Sequence, residues 1–108
     1  MNIGDIVLIP FPFSELSQVK VRPAVVITET KDKYKDLVVS AISSVVPTNI
    51  SDREFIIAKS EKNNLRVKSV VKADRIVTVK RERVITVMGK LTGNELNKFR
   101  SILVAMIR

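Results

Sequence analysis

Cysteine, histidine and tryptophan are absent from the 108 residues of this chain. Without cysteine there is no disulfide framework, no thiolate nucleophile and no thiolate metal site. Without histidine the usual zinc ligands and the usual general base near neutral pH are missing too, and a Ser-His-Asp triad cannot be assembled. The three glycines stand at positions 4, 89 and 93, too scattered for a phosphate-cradling loop, which excludes a P-loop nucleotide hydrolase. No apolar run approaches the roughly 18–20 residues of a membrane span. The opening "MNIGDIVLIPFPF" has no basic leader segment and is interrupted by Asp5. It reads as a first strand and not as a signal peptide, so a cytoplasmic protein is the expectation.

What remains is a chain 45% apolar, of a length that suits one domain over residues 1–108. Its net charge of +8 is unevenly spread. Residues 59–90 hold ten Lys or Arg against three acidic residues, whereas residues 1–58 hold six against seven. A basic half of this kind attracts a polyanion, either nucleic acid or an acidic protein segment. Solvated surface lysines are the plainer explanation of part of it.

Short β-branched runs separated by polar turns fill the first two thirds. Strands are predicted at 6–11, 24–28, 37–42, 54–58, 69–71, 76–79 and 84–91, with Pro10 and Pro12 ending the first and Pro23 opening the second. The period then changes. Thr92 and Glu95 have capping-box spacing, and Leu96, Phe99, Ile102, Leu103 and Met106 fall on one helical face. The predicted architecture is mainly β with a C-terminal helix packed on a small, strongly curved sheet or barrel, which limits exposed edges.

Candidates for chemistry lie at strand ends. Arg22 precedes Pro23 and a solid apolar run in "VKVRPAVVI"; Ser43 and Ser44 end the third strand; Lys72 and Asp74 interrupt "SVVKADRIVTV". Each has a plain structural explanation. Arg22 can be an edge cation reaching into water, and the serines can be turn formers. Asp74 can pair on the surface with Arg22, Lys72 or Arg75 for under about 1 kcal/mol. Phe11 and Phe13 can be core residues, and Lys80, Arg81 and Arg83 a solvated basic turn.

Taken together, these stretches resemble the MazF/PemK family of toxin endoribonucleases. "GDIVLIPFPFSELSQVKVRPAVVI" is similar to that family's first strand, polar loop and Arg-Pro strand; "VVSAISS" to its third strand; "SVVKADRIVTVKRERV" to its valine-rich strand and basic turn; "GKLTGNELNKF" to the lead into its last helix. The resemblance covers nearly the whole chain in order. It implies an SH3-like barrel of the CcdB/MazF type. It further implies a homodimer restrained by an acidic antitoxin, and sequence-specific cleavage of single-stranded RNA without metal or cofactor. In that chemistry the 2′-hydroxyl attacks the adjacent phosphate, leaving a 2′,3′-cyclic phosphate and a 5′-hydroxyl.

Carried over position by position, the resemblance gives Arg22, Ser43 and Asp74 as catalytic residues. Phe13, Lys20, Ser44, Lys72 and Arg75 are the expected RNA contacts. Three departures stand out. Lys72 replaces the PemK-branch arginine, exchanging a planar fork of donors for a point charge. The loop histidine of that branch has no counterpart in residues 14–20, and Val77 stands where the MazF branch has an arginine before threonine. Two other readings stay open: a CcdB-like toxin that binds DNA gyrase through its C-terminal helix, and a non-catalytic basic barrel that binds RNA or protein.

Overall fold

The computed structural model describes residues 1–12 and 19–108. The proposed contact Phe13 lies outside them. Alternation within the apolar runs decides the architecture. Ile6, Val25 and Ile42 join one core with Phe55, Val71 and Phe99. Their neighbours Val7, Ile9, Ala24, Val26, Val39 and Ala41 join a second core on the opposite face. Both faces are buried, so the strands read as continuous apolar runs and not as a hydrophobic–polar alternation.

These runs form β1 (Asp5–Pro12), β2 (Val19–Glu29), β3 (Leu37–Ser43), β4 (Glu54–Ile57), β5 (Ser69–Val79) and β6 (Thr86–Lys90), followed by α1 (Gly93–Met106). They build one antiparallel sheet in the order β4-β5-β3-β2-β1-β6, strongly curved into a half-barrel. Phe99 and Ile102 of α1 are buried on the first core, with Leu96, Leu103 and Met106 packed at its margin. The second core is made of residues from β1, β2, β3 and β5, edged by Met1 and Val84, so the sheet curls over it. The predicted capping box is present: the Thr92 hydroxyl accepts from Glu95 N–H at 3.2 Å, and the Glu95 carboxylate accepts from Thr92 N–H at 2.8 Å. A cap of this kind contributes about 1 kcal/mol.

Four departures from the sequence expectation have an evident physical reason, while β4 and β6 are merely shorter than expected, at 54–57 and 86–90. β1 continues through Pro10 to Pro12, because β6 pairs with β1 only from Asp5 to Leu8. The Leu8 carbonyl accepts from Ile85 N–H on that side, and two residues on the ladder has ended, so the N–H that Pro10 lacks has no partner to lose. β2 begins at Val19, not Ala24, which puts Arg22 and Pro23 inside a strand; Pro23 falls one position past the last β2–β3 pair, Ala24 with Ala41.

The third difference matters most for the site. The two predicted strands at 69–71 and 76–79 are one strand with a bulge. Ser40 pairs with Ile76, but the next residue of β3, Ala41, pairs with Lys72, leaving residues 73–75 of β5 unmatched. The bulge is pinned from both sides. Buried Ser40 donates its hydroxyl to the Ala73 carbonyl at 2.9 Å, and Ala73 N–H donates to the Arg53 carbonyl at 3.0 Å. Finally, the basic turn before β6 is a short 3₁₀ helix, Arg81–Arg83. Its Arg81 is not simply solvated: it pairs with the Glu29 carboxylate and donates Nε–H to the Lys35 carbonyl at 3.2 Å. The N-terminal amine at 2.9 Å and then Arg81 hold the Glu29 carboxyl below the usual carboxylate range.

Residues 59–68 form a wall beside β6. Asn63, almost fully buried, accepts from Ser60 N–H at 3.0 Å and Leu65 N–H at 2.9 Å, and donates to the Ala58 carbonyl at 2.8 Å. Lys90 N–H donates to the Lys62 carbonyl at 3.1 Å, and the Asn64 amide donates to the Met88 carbonyl. Contact is so close that a Cβ on Gly89 would lie 2.0 Å from the Lys62 carbonyl oxygen. Gly89→Ala is therefore expected to lower stability by about 1–3 kcal/mol through overpacking. Urea unfolding of the two proteins checks this, and an unchanged midpoint would contradict the tight contact.

Candidate functional site

The register of β2, β3 and β5 places the chemistry. Arg22 lies opposite Ile9 of β1, Ser43 ends β3 opposite Val70, and Lys72 begins the β5 bulge opposite Ala41. Arg22, Ser43, Lys72 and Arg75 line one small cleft of about 100 Å³, floored by Phe11, Ala41 and Ile42. Phe11 is thus core and floor at once, only 4% exposed. Among the described residues no carboxylate lines the cleft.

Within the cleft, Ser43 Oγ accepts a hydrogen bond from Val45 N–H at 3.1 Å. This turn contact fixes the oxygen and leaves its O–H able to donate to a ligand. Lys72 Nζ stands 3.9 Å from Glu54 Oε2 across the β4–β5 pair. Glu54 is itself anchored, its Oε1 accepting from Ser51 N–H at 2.8 Å. Glu54 therefore tethers Lys72 from behind while three cations face the cleft. Such a site suits a compact anion with several acceptor oxygens.

The other expected residues are distributed around this cleft. Asp74 is exposed on the bulge, two residues from Lys72, and does not line the cleft; among the described residues it makes no ion pair within 4.0 Å. Ser44 faces away from Ser43 into a second, larger groove that shares Arg22. Lys20 is exposed and lines neither space. Sequence reasoning missed Glu54, whose role depends on cross-strand register, and the groove residues Asn64, Arg66, Val67 and Met88. The doublet Asn63-Asn64 together with Gly89 was the available signal for a tight turn meeting a strand.

A six-stranded half-barrel carrying a C-terminal helix on one face and a basic cleft at the end of β3 defines a recognisable class of small domain. The family model described as "PemK-like, MazF-like toxin of type II toxin-antitoxin system" matches residues 2–107, and the chain belongs to that family. Among solved structures it is similar to an endoribonuclease in complex with its cognate antitoxin from a mycobacterial species. The TM-score is 0.72 at 16% sequence identity, with 97% of this chain and 92% of that chain covered; the likeness is one of fold. A comparison with curated proteins by sequence gave no match. No helix among the described residues is long and apolar enough to cross a membrane.

Proposed function

We propose that this toxin is a sequence-specific endoribonuclease that cuts single-stranded RNA without metal, and that it works as a homodimer restrained by an acidic antitoxin. The observation that carries this reading is the convergence of Arg22, Ser43, Lys72 and Arg75 on one cleft in a chain of this family. The similar solved structure, an endoribonuclease bound to its antitoxin, supports both the activity and the partner. An acidic antitoxin segment matches the basic half in charge, as the RNA backbone does.

The chemistry follows from the residues. The scissile phosphate occupies the small cleft, where the fixed fork of Arg22 neutralises charge growing on the pentacoordinate phosphorus. The Ser43 hydroxyl donates to a phosphate oxygen. The substrate 2′-oxygen forms its bond to phosphorus as its proton passes to a base outside the cleft lining, a role we assign to Asp74 on the β5 bulge, two residues from Lys72. The bond from phosphorus to the 5′-oxygen breaks, and Lys72, tethered by Glu54, supplies the proton to the leaving oxygen. A 2′,3′-cyclic phosphate and a 5′-hydroxyl result. Arg22 is assigned to holding charge and not to moving protons, because its planar fork of donors matches the oxygens of a phosphate.

Incubation of the purified protein with RNA in excess EDTA, followed by end analysis, tests the reading. Continued cutting with cyclic phosphate and 5′-hydroxyl ends is expected. Cutting that stops on chelation, or that leaves 5′-phosphates, would rule the mechanism out.

A further inference from the structure

Arg22 is a shared wall. On one side lies the small anion cleft; on the other lies a groove of about 530 Å³ walled by Val21, Pro23, Val67 and Met88, with Ser44 and Arg66 among its polar residues. We infer that this groove is a base-recognition pocket, taking the unpaired nucleobase of a nucleotide that flanks the phosphate held by Arg22. The inference rests on the ribonuclease reading and adds to it the place where sequence is read.

Three observations support this occupant. The first is size and chemistry. The cleft of about 100 Å³ is about a fifth of the groove's volume, so once it holds a phosphate the attached base needs a neighbouring space. A nucleobase presents flat apolar faces and polar edges, which match aliphatic walls with hydroxyl and guanidinium donors beside them. The second is charge. Arg22 and Arg66 line the groove, and among the described residues no carboxylate does, which suits a segment of polyanion running from one space to the other.

The third is rigidity. The wall at residues 59–68 is built in advance, by the buried Asn63 amide, the Lys90–Lys62 backbone bond and the approach of Gly89. None of these contacts serves the anion cleft. A preorganised wall is what discrimination between bases requires, since a base contact discriminates only if its geometry is fixed. Val67 and Val21 remain about half exposed, at 48% and 52%, so the groove is open to a strand entering from solvent.

The test uses cut-site mapping on a pool of random-sequence single-stranded RNA with the wild type, Val67→Trp and Met88→Ala. A preference at one position flanking the cut is expected for the wild type, falling or changing identity by about tenfold in the variants. Identical base preferences in all three proteins would overturn the assignment. A second measurement does not depend on cleavage. The natural chain contains no tryptophan, so the indole introduced by Val67→Trp is the sole indole emitter. A 2′-O-methyl oligonucleotide, which cannot be cut by this route, is expected to quench it, and inorganic polyphosphate is not. Equal quenching by both, or none by the oligonucleotide, contradicts a base site. Sedimentation of the wild type and Val67→Trp is expected to be alike; a changed association state would give the groove to a second copy of the chain. If the wild type cuts no RNA, the ribonuclease reading fails, and the quenching experiment still decides the groove alone.

Discussion

Arg22→Ala is expected to slow RNA cleavage by roughly 10²–10³-fold, the usual effect of removing one preorganised donor from a developing oxyanion. Arg22 borders the small cleft in company with Lys72 and Arg75, so two cations remain to attract the phosphate. Substrate affinity should consequently fall less than the cleavage rate, because residual charge still draws the polyanion while the transition state loses its oriented fork. Arg22→Lys separates charge from geometry. If the planar fork matters, lysine restores little of the rate; if charge alone matters, it restores most. Single-turnover cleavage gives the rate, filter binding of a non-cleavable RNA gives the affinity, and far-UV circular dichroism confirms the sheet. Cleavage by Arg22→Ala at the wild-type rate would end the catalytic assignment.

Phe99→Ala should produce the largest loss of stability. Phe99 is fully buried, and its ring meets that of Phe55 with centroids 6.3 Å apart and planes tilted by 49°. Removing a buried phenyl group costs about 3–5 kcal/mol in transfer and cavity terms, against a total stability of about 5–15 kcal/mol for a domain of this kind. The damage is local as well as global. Phe99 holds α1 to the edge where β4 meets β5, and Glu54 stands there beside Lys72. Urea unfolding should therefore show a strongly lowered midpoint, with Phe99→Leu losing less than half as much because it fills more of the space. A small change in Phe99→Ala would mean that α1 does not anchor the sheet.

How far the sequence carried depends on the range of the interactions involved. The helix was legible down to its first residue, because a capping box and a repeating apolar face lie within a few neighbours of each other. The cores were legible from β-branched runs, and the resemblance to the toxin family from motifs in order along the chain. The bulge in β5 was not. It is fixed by a hydroxyl at Ser40 and a carbonyl at Arg53, and the polar sequence Lys72-Ala73-Asp74-Arg75 looks locally like a break between two strands. For the same reason Arg22 looked like the mouth of a strand: the proline beside it is tolerated only because the neighbouring ladder stops at Ala24. Of the residues expected around one site, Arg22, Ser43, Lys72 and Arg75 share one cleft, whereas Asp74, Lys20 and Ser44 lie outside its lining. Glu54 and the groove wall depend on register and close approach, which one-dimensional patterns do not encode.

The doubly pinned bulge also bears on how a protein of this shape can change. Its backbone is satisfied through Ala73, so the exposed side chains at 74 and 75 carry little of the fold's stability. Lys72 differs: it is in ladder register with Ala41 and tied to Glu54. Variation at 74 and 75 can therefore retune what happens at the rim of the cleft while the barrel stays as it is, whereas a change at 72 must be matched across the sheet at 54. Positions 74 and 75 are thus nearly independent of the fold, whereas 72 and 54 form a coupled pair.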